Sequence, residues 1–315
     1  MRLDRFLTLY LFSPLYKLLR KDNGLHIPIL MYHSISDVPE SGHPYYRINT
    51  SPKRFYEHMK FLRDNNYKVI SLSEAIDLTS GKSQPVTCNL QPVTCNLQGA
   101  TRNPQPETCN SINPTNSTNF VVLTFDDGYA DFYTTAWPIL REFNYPVTLY
   151  LPTGLVGEGW PFDFKGRPCL TWEEVRELSH SGIEVGSHTV THRRLYELPW
   201  KEVEEELRYS REKLEAEIGT PIHHFSLPFA YPADRKWEAS FQRLLNVCGY
   251  RSCATTTIGL HKPGDNPLCL KRIPVNNYDD LRLFKAKLTG AYNWLSSFQT
   301  LYKSLTKRVH PQNPK

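Results

Sequence analysis

The chain has 315 residues, of which 40% are hydrophobic, 12% aromatic and 22% charged. This composition is typical of a globular protein that buries a sizeable core. The net charge is +5, but residues 1–21 alone carry +4. The rest of the chain is therefore near neutral, which argues against a nucleic-acid-binding surface and leaves one main domain with appendages as the expected organisation.

The N-terminal segment, residues 1–26, is basic and amphipathic, with an apolar centre at residues 6–12 that Pro14 interrupts. It is too short to span a bilayer, and no small-x-small cleavage site follows it, so no cleavable signal peptide is expected. Two interpretations stay open: residues 1–21 lie on the inner membrane as an interfacial helix, or they pack against the domain. In either case the expected location is the cytoplasm.

Beyond this segment, strand-like runs alternate with helical patterns. Helices are expected after Ser51-Pro52, over 73–79, over 130–143 with a kink or a restart at Pro138, after a capping box at 171–174, and over 201–218, 237–247 and 279–288. The strand-like runs are residues 28–33, 68–72, 120–125, 146–151, 183–187, 223–229 and 250–256. Seven strands in βα alternation predict a parallel sheet that closes, or nearly closes, into a barrel.

A low-complexity insert interrupts this alternation at residues 82–118. The heptad at 84–90 recurs intact at 91–97, and a weaker copy follows at 105–111. Such a polar, Pro- and Asn-rich stretch buries too little apolar surface to offset its ordering entropy, so a disordered insert is expected. Metal binding by its three cysteines is the alternative, but their Cys-x6-Cys spacing is not typical of ligands.

Two adjacent carboxylates, Asp126 and Asp127, follow the strand 120–125 directly. Like charges this close raise each other's pKa unless a cation or a proton compensates them. His188 and His192 follow the strand 183–187, and their spacing lets both imidazoles reach one ion if the turn is helical. With one Asp they form a two-His, one-carboxylate set that leaves positions open for water and substrate.

These two stretches carry a family resemblance. Residues 124–129 (Thr-Phe-Asp-Asp-Gly-Tyr) and 187–192 (Ser-His-Thr-Val-Thr-His) resemble the first two motifs of the polysaccharide deacetylases, the NodB-homology or carbohydrate esterase 4 family. The resemblance covers about residues 27–275. It implies an α/β fold, a distorted (β/α)7-type barrel that forms a single catalytic domain at 27–277, followed by a C-terminal helix and tail at 278–315.

The same resemblance implies the roles of the site residues. Asp127, His188 and His192 would bind a divalent metal, with Zn²⁺ the expected ion, and Asp126 would act as the base. A metalloprotease is a weaker interpretation, because the Glu usual in a His-x-x-x-His metalloprotease motif is absent.

The third motif matches only in part. Within residues 225–230 (Phe-Ser-Leu-Pro-Phe-Ala), Pro228 and Phe229 fit the family pattern, whereas Ser226 stands where arginine is common. The resemblance implies that Phe229 donates its backbone N–H to the oxyanion, with Pro228 and Tyr129 beside it at the substrate. Arg272 is the candidate for the missing guanidinium that orients Asp126; a surface ion pair is its alternative role.

The family's last motif, a strand-borne histidine that supplies the general acid, is missing from the C-terminal part. Residues 29–33 (Ile-Leu-Met-Tyr-His) have the same strand-then-histidine character at the other end of the chain. Because the first and last strands of a closed barrel are neighbours, a permuted order brings His33 to the same site. This resembles a bacterial subgroup of exopolysaccharide deacetylases and implies that His33 is the general acid; a hydrogen-bonded rim histidine is the alternative.

The predicted function is a metal-dependent hydrolase that removes N-acetyl groups from an N-acetylhexosamine-containing polysaccharide or glycolipid. The partner is then an acetylated poly- or oligosaccharide, and no nucleic acid is expected. The alternative from another class is a catalytically silent glycan-binding barrel in envelope polysaccharide assembly. Several aromatics fall in loops or at element ends, where they can stack on sugar rings or pack in the core: Tyr45, Tyr46, Trp160, Phe162 and Trp172.

Overall fold

The computed structural model describes residues 2–19, 24–80, 119–157, 164–230 and 234–305. Residues 82–118, predicted as a disordered insert, and the C-terminal tail from residue 306 lie outside this part, as do Trp160 and Phe162. The strands of the described residues are β1 (Ile29–Tyr32), β2 (Ser34–Ile35), β3 (Asn49–Thr50), β4 (Tyr67–Val69), β5 (Asn119–Phe125), β6 (Thr148–Leu151), β7 (Glu184–Ser187), β8 (His224–Ser226), β9 (Ser252–Ile258) and β10 (Leu270–Pro274).

Seven parallel strands close into a barrel, which confirms the predicted fold class. Their order is β1-β10-β9-β8-β7-β6-β5, and β5 returns to β1 with Tyr32 opposite Phe125. Closure therefore joins the first strand of the chain to both the last strand and the strand that precedes the two acidic residues. The carboxyl ends of all seven strands meet at one rim of the barrel.

Two of the sequence assignments differ from the observed strands. The predicted strand at 68–72 is the short β4, which pairs only with the first half of β5 and stands outside the closed ring. The seventh barrel strand is β10, which the sequence did not predict as a strand. Lys271 and Arg272 make β10 look polar, but Arg272 is only 1% exposed in the structure.

Helices cover the outside of the barrel. They are α1 (Leu3–Leu7), α2 (Ser13–Leu19), α3 (Pro52–Asp64), α4 (Leu72–Thr79), α5 (Trp137–Phe143), α6 (Trp172–His180), α7 (Trp200–Ile218), α8 (Arg235–Val247), α9 (Leu281–Leu288) and α10 (Trp294–Leu305). Thr171 and Glu174 form the predicted capping box of α6. The predicted kink corresponds to a π-helical stretch, Phe132–Ala136, before α5, whose first turn contains Pro138. The helix α10 was not predicted.

Apolar side chains fill the interior of the barrel at its amino end. Ile70, Leu72 and Ala75, from the start of α4, belong to the apolar cluster that plugs the amino end. The Tyr150 ring fills the middle of the barrel, and a Cβ on Gly186 would lie 2.5 Å from it, so the neighbouring strand needs glycine at this point.

The N-terminal helix consists of α1, the π-helical stretch Thr8–Phe12 and α2, which run on from one another. One face of it contacts the C-terminal part of the fold. Asp4 accepts a hydrogen bond from the Tyr292 hydroxyl (2.7 Å), and the Thr8 hydroxyl accepts one from Trp294 Nε1 (2.9 Å). Among the helices of the described residues, none combines the length and the hydropathy that a bilayer crossing needs.

Candidate active site

The barrel rim gathers side chains that are far apart in the sequence. Because Tyr32 pairs with Phe125, the residues that follow them, His33 and Asp126, are also neighbours; Asp126 N donates to Tyr32 O at 3.0 Å. The strand β8 ends at Ser226 and β10 carries Arg272 beside it. The rim is thus the place where His33, Asp126 and Arg272 meet.

Three buried donor groups converge beside Asp126. Asp127 Oδ1 lies 3.4 Å from His188 Nε2 and 3.0 Å from His192 Nε2. One ligand atom from each of the three residues lies within 4.8 Å of the others. This set of one carboxylate and two imidazoles has the composition of the catalytic metal sites that keep open positions.

The hydrogen bonds of His188 test whether these residues fit a cation. Its Nδ1 lies 2.7 Å from the backbone oxygen of Ser226, which can only accept, so Nδ1 carries the proton. In the neutral ring, Nε2 then directs its lone pair toward a carboxylate oxygen of Asp127. Two lone pairs facing each other at this distance repel unless a cation or a proton lies between them. The donor set therefore fits a metal ion.

The backbone at the rim is strained in the same region. Four non-glycine residues at the site have a positive φ: Asp127 at 75°, Thr189 at 71°, His192 at 55° and Phe229 at 60°. Such a conformation costs on the order of 1–3 kcal/mol per residue and persists only where surrounding contacts enforce it. The concentration of four such residues around one donor set indicates a site whose geometry the fold imposes.

The loop that carries the two histidines is held by α7. Glu206 accepts hydrogen bonds from the backbone N–H of Val190 (2.8 Å) and of Thr191 (2.9 Å), and also from the Thr191 hydroxyl. Ser210 donates to the backbone oxygen of Thr189 at 3.0 Å. The two histidines converge without the helical turn that their spacing was thought to require, because residues 188–194 form an irregular loop.

The role of Glu206 in holding the histidine loop was not predicted from the sequence. Glu206 lies between Val203 and Ser210 on the face of α7 that is buried, and its side chain is buried with them. A glutamate in the apolar stripe of an amphipathic helix was the signal that could have identified it, because buried carboxylates need partners.

Arg272 holds Asp126 in a bidentate contact. The guanidinium Nη1 and Nη2 donate to Asp126 Oδ1 and Oδ2, respectively, each at 2.7 Å. The guanidinium Nε donates to the backbone oxygen of Thr255 (3.0 Å), and Nη2 also donates to the Ser226 hydroxyl (3.1 Å). The alternative of a surface ion pair is wrong, because both side chains are buried.

This contact controls the charge of Asp126. Burial, the largest single effect, raises the pKa of Asp126, but the Arg272 guanidinium together with His188 and His33 brings this pKa below its usual value. For His33, which is partly exposed, burial lowers the pKa, while the charges of Asp127 and Asp126 act in the opposite direction. The structure thus places an ionised carboxylate and an imidazole side by side.

The remaining predicted residues lie around the opening. The Phe229 ring is 4.9 Å from the His192 ring, and Pro228 precedes it in the loop after β8. The Tyr129 hydroxyl is buried and has no hydrogen-bond partner among the described residues. Lys165 Nζ lies 3.8 Å from Asp127 Oδ2.

The described aromatics named as sugar-stacking candidates differ in exposure. Tyr46 is exposed, Tyr45 is half-buried and Trp172 is part of the core.

Comparisons with known proteins agree with this geometry. A family model described as polysaccharide deacetylase matches residues 113–252. YxkH of Bacillus subtilis strain 168, whose name places it among the polysaccharide deacetylases, is 26% identical over 259 residues, which cover 82% of this chain and 74% of YxkH. The poly-beta-1,6-N-acetyl-D-glucosamine N-deacetylase of Escherichia coli K12 is 27% identical over 173 residues, or 51% of this chain and 20% of that protein.

Solved structures share the fold. IcaB from Ammonifex degensii superposes with a TM-score of 0.62 at 22% identity, covering 84% of this chain and 98% of that one. The Streptococcus pyogenes deacetylase PplD in complex with acetate superposes with a TM-score of 0.59 at 21% identity, covering 86% and 97%. The family model and the two sequence motifs show that residues 113–252 are similar to the polysaccharide deacetylase family, and these structures show that the chain shares their fold.

Proposed function

We propose that this protein is a metal-dependent hydrolase that removes N-acetyl groups from an N-acetylhexosamine in a polysaccharide or glycolipid. The proposal rests on the observation that the two adjacent acidic residues, Asp126 and Asp127, have different partners. Asp127 belongs to the donor set with the two histidines, whereas Asp126 is paired with Arg272 and stays ionised. A site built only to bind a glycan has no need of a second, separately held carboxylate.

Asp127, His188 and His192 would hold the ion, and their nitrogen and oxygen atoms suit Zn²⁺. A divalent ion in such a site lowers the pKa of water to about 7 and polarises a carbonyl group. The contribution of His188 depends on its orientation. The hydrogen bond from Nδ1 to Ser226 O fixes the ring so that Nε2 is the ligand atom.

Asp126 would accept the proton of the attacking water. Arg272 engages both of its oxygens and keeps the group ionised, so the carboxylate is ready to accept a proton at neutral pH. The same two contacts fix the plane of the carboxylate.

His33 would give a proton to the departing amine nitrogen, which is too basic to leave as an anion. It lies beside Asp126 at the rim and is partly exposed, so it can exchange protons with solvent between turnovers. The backbone N–H of Phe229 would donate to the developing oxyanion, a contribution typically worth about 3 kcal/mol.

The substrate class is supported by the family and by the name of the Escherichia coli relative, a poly-beta-1,6-N-acetyl-D-glucosamine N-deacetylase. The test is acetate release by the zinc-loaded protein from a panel of acetylated saccharides: chitooligosaccharides, β-1,6-linked N-acetylglucosamine oligomers, peptidoglycan fragments and lipopolysaccharide intermediates. We expect release from at least one of them. Binding of these glycans with no acetate released from any would instead identify a catalytically silent glycan-binding barrel.

A further inference from the structure

Exposed apolar side chains are concentrated on two neighbouring helices. The described residues include fourteen large hydrophobic side chains that are exposed. Eight of the fourteen lie on the N-terminal helix and on α10, which together span only about a tenth of the chain. Single exposed apolar residues are ordinary, but a cluster of this size marks an interaction surface.

The N-terminal helix exposes one side and buries the other. Toward the barrel it directs Asp4 and Thr8, whose hydrogen bonds to Tyr292 and Trp294 fix the helix in place. Six side chains that are each at least 43% exposed occupy the other side: Leu3, Phe6, Tyr10, Leu11, Leu15 and Leu18. The helix is therefore anchored by polar contacts and presents an apolar stripe outward.

The helix α10 extends the same surface. Phe12 stacks on Trp294 with ring centroids 4.6 Å apart, and Trp294 in turn contacts Phe298 at 5.4 Å. Phe298 and Leu301 are 58% and 56% exposed. The other face of α10 contacts the barrel. There the Gln299 side chain donates a hydrogen bond to the backbone oxygen of Thr256 and accepts one from the backbone N–H of Ile258. We call the combined surface of the N-terminal helix and α10 the two-helix face.

The charge of the chain is concentrated in the same two segments. Residues 1–21 carry +4 and residues 294–315 also carry +4, whereas the whole chain carries +5. The 272 residues between them therefore have a net charge of −3. Arg282, whose guanidinium lies 5.9 Å from the Tyr10 ring, adds a further positive charge beside the apolar stripe.

We propose that the two-helix face docks on an anionic lipid surface. An exposed leucine- and aromatic-rich stripe, in segments whose sequence carries a net positive charge, is typical of helices that lie in a membrane interface, where the apolar side enters the acyl boundary and cations meet acidic headgroups. The net charge of +4 in each of the two segments favours a lipid surface over a second copy of the chain, because like-charged segments of two copies would repel each other. The proposal is independent of the catalytic one.

The test is flotation of the full chain with lipid vesicles. We expect the protein to bind vesicles of phosphatidylcholine that contain about 30% phosphatidylglycerol, and to bind pure phosphatidylcholine at least roughly ten-fold more weakly. Raising the salt concentration to about 1 M should weaken the binding to the anionic vesicles, since the Debye length then falls to about 3 Å. This salt series needs no variant.

A matched pair of variants locates the surface. Leu11→Ser with Leu18→Ser removes two exposed apolar side chains of the two-helix face and should weaken vesicle binding roughly ten-fold or more. Tyr209→Ser with Val247→Ser, two equally exposed positions elsewhere, should leave it unchanged. Circular dichroism checks that both variants fold.

Three results would overturn the proposal: no vesicle binding by the unaltered chain, equal binding to neutral and anionic vesicles, or equal loss in both double variants. A concentration-dependent dimer in sedimentation, without vesicle binding, would overturn it as well and identify a second copy as the occupant.

Discussion

Asp126 and Asp127 are adjacent in the chain but have different partners. Asp126 is bound at both oxygens by Arg272, while Asp127 Oδ1 faces the two imidazoles. Asp127 has a φ of 75°, which turns its side chain away from that of its neighbour. Two like charges that would otherwise raise each other's pKa are thus compensated separately. This separation is the physical basis for assigning them different roles.

Replacing Arg272 tests the role of its bidentate contact. Arg272→Lys keeps a positive charge but loses the planar pair of hydrogen bonds. The pKa of Asp126 should rise, so a base that must be ionised works only at higher pH. We expect the acid limb of the pH–rate profile to move up by about one unit, and kcat/KM to fall roughly ten-fold or more.

The control for this variant is Lys271→Arg, on the same strand but half-exposed, which should leave the profile in place. Circular dichroism at each pH excludes unfolding as the cause. An Arg272→Lys profile with an unmoved acid limb would contradict the assignment of Arg272 as the group that keeps Asp126 ionised.

At the scale of single elements, the donor set depends on α7 as much as on its own loop. Glu206 and Ser210 bond to the backbone of residues 189–191, between the two histidines. The sequence motif was sufficient to identify His188 and His192, because both lie in one contiguous stretch. It was not sufficient to identify Glu206, because that contact joins a helix to a loop 15 residues away and depends on the packing of the helix.

Glu206→Gln should loosen the histidine loop. A glutamine has one acceptor oxygen and adds an amide that faces the backbone N–H groups, so part of the loop contact is lost. Supporting contacts of this kind are worth about 10- to 100-fold in metal affinity. Zinc titration with a competing chelator measures the change, and Glu212→Gln, on the exposed side of the same helix, is the control. Unchanged zinc affinity in Glu206→Gln would show that the loop holds its shape without α7.

The amino end of the barrel has a half-buried acid of its own. Glu184, on β7, accepts hydrogen bonds from Ser73 (2.5 Å) and Thr148 (2.6 Å) and lies 3.2 Å from His224 Nε2. Burial acts to raise the pKa of Glu184, but these partners, with His224 the largest, lower it from 4.5 to about 2. Glu184 therefore links α4, β6 and β8 at the closed end of the barrel.

The lowered pKa fixes the sign of a pH effect on stability. The contribution of Glu184 is fully present above its unfolded pKa of about 4.5 and is lost as pH falls toward about 2. Glu184→Gln should lower the free energy of unfolding at pH 7 by on the order of 2 kcal/mol, with a smaller difference at pH 3. Urea unfolding of the unaltered chain and of the variant at both pH values measures this difference in the free energy of unfolding. A difference of the same size at the two pH values would contradict the role given to Glu184.

At the scale of the whole molecule, the closure of the barrel decides what the sequence could and could not predict. Alternating strands and helices were enough to predict the class of fold, because each unit is local. The strand β10 was missed because its charged residue faces inward, and only closure shows where Arg272 points. The placement of His33 next to Asp126 could be inferred only by assuming that the first strand is part of the closed barrel. The pairing of β1 with β5 shows that it is.

Metal binding should stabilise the whole chain, since the proposed ligands lie in the segment that follows β5 and in the loop after β7. A ligand that binds only the folded state adds about 4 kcal/mol when its concentration is a thousand times its Kd. We expect the melting temperature to fall when a chelator removes the ion and to recover when Zn²⁺ is added back. His192→Ala should abolish the response to Zn²⁺. If neither the chelator nor Zn²⁺ changed the melting temperature of the unaltered chain, the proposed site would be contradicted.

The central claim is that Asp127, His188 and His192 hold one ion while Asp126 acts as the base. Bound metal and acetate release, measured in parallel on the unaltered chain and on Asp126→Asn, test it most directly. We predict one divalent ion per chain in both proteins, acetate release by the unaltered chain, and at least a roughly hundred-fold loss of release in the variant. Full activity of Asp126→Asn, or an unaltered chain that binds no divalent ion, would contradict the claim.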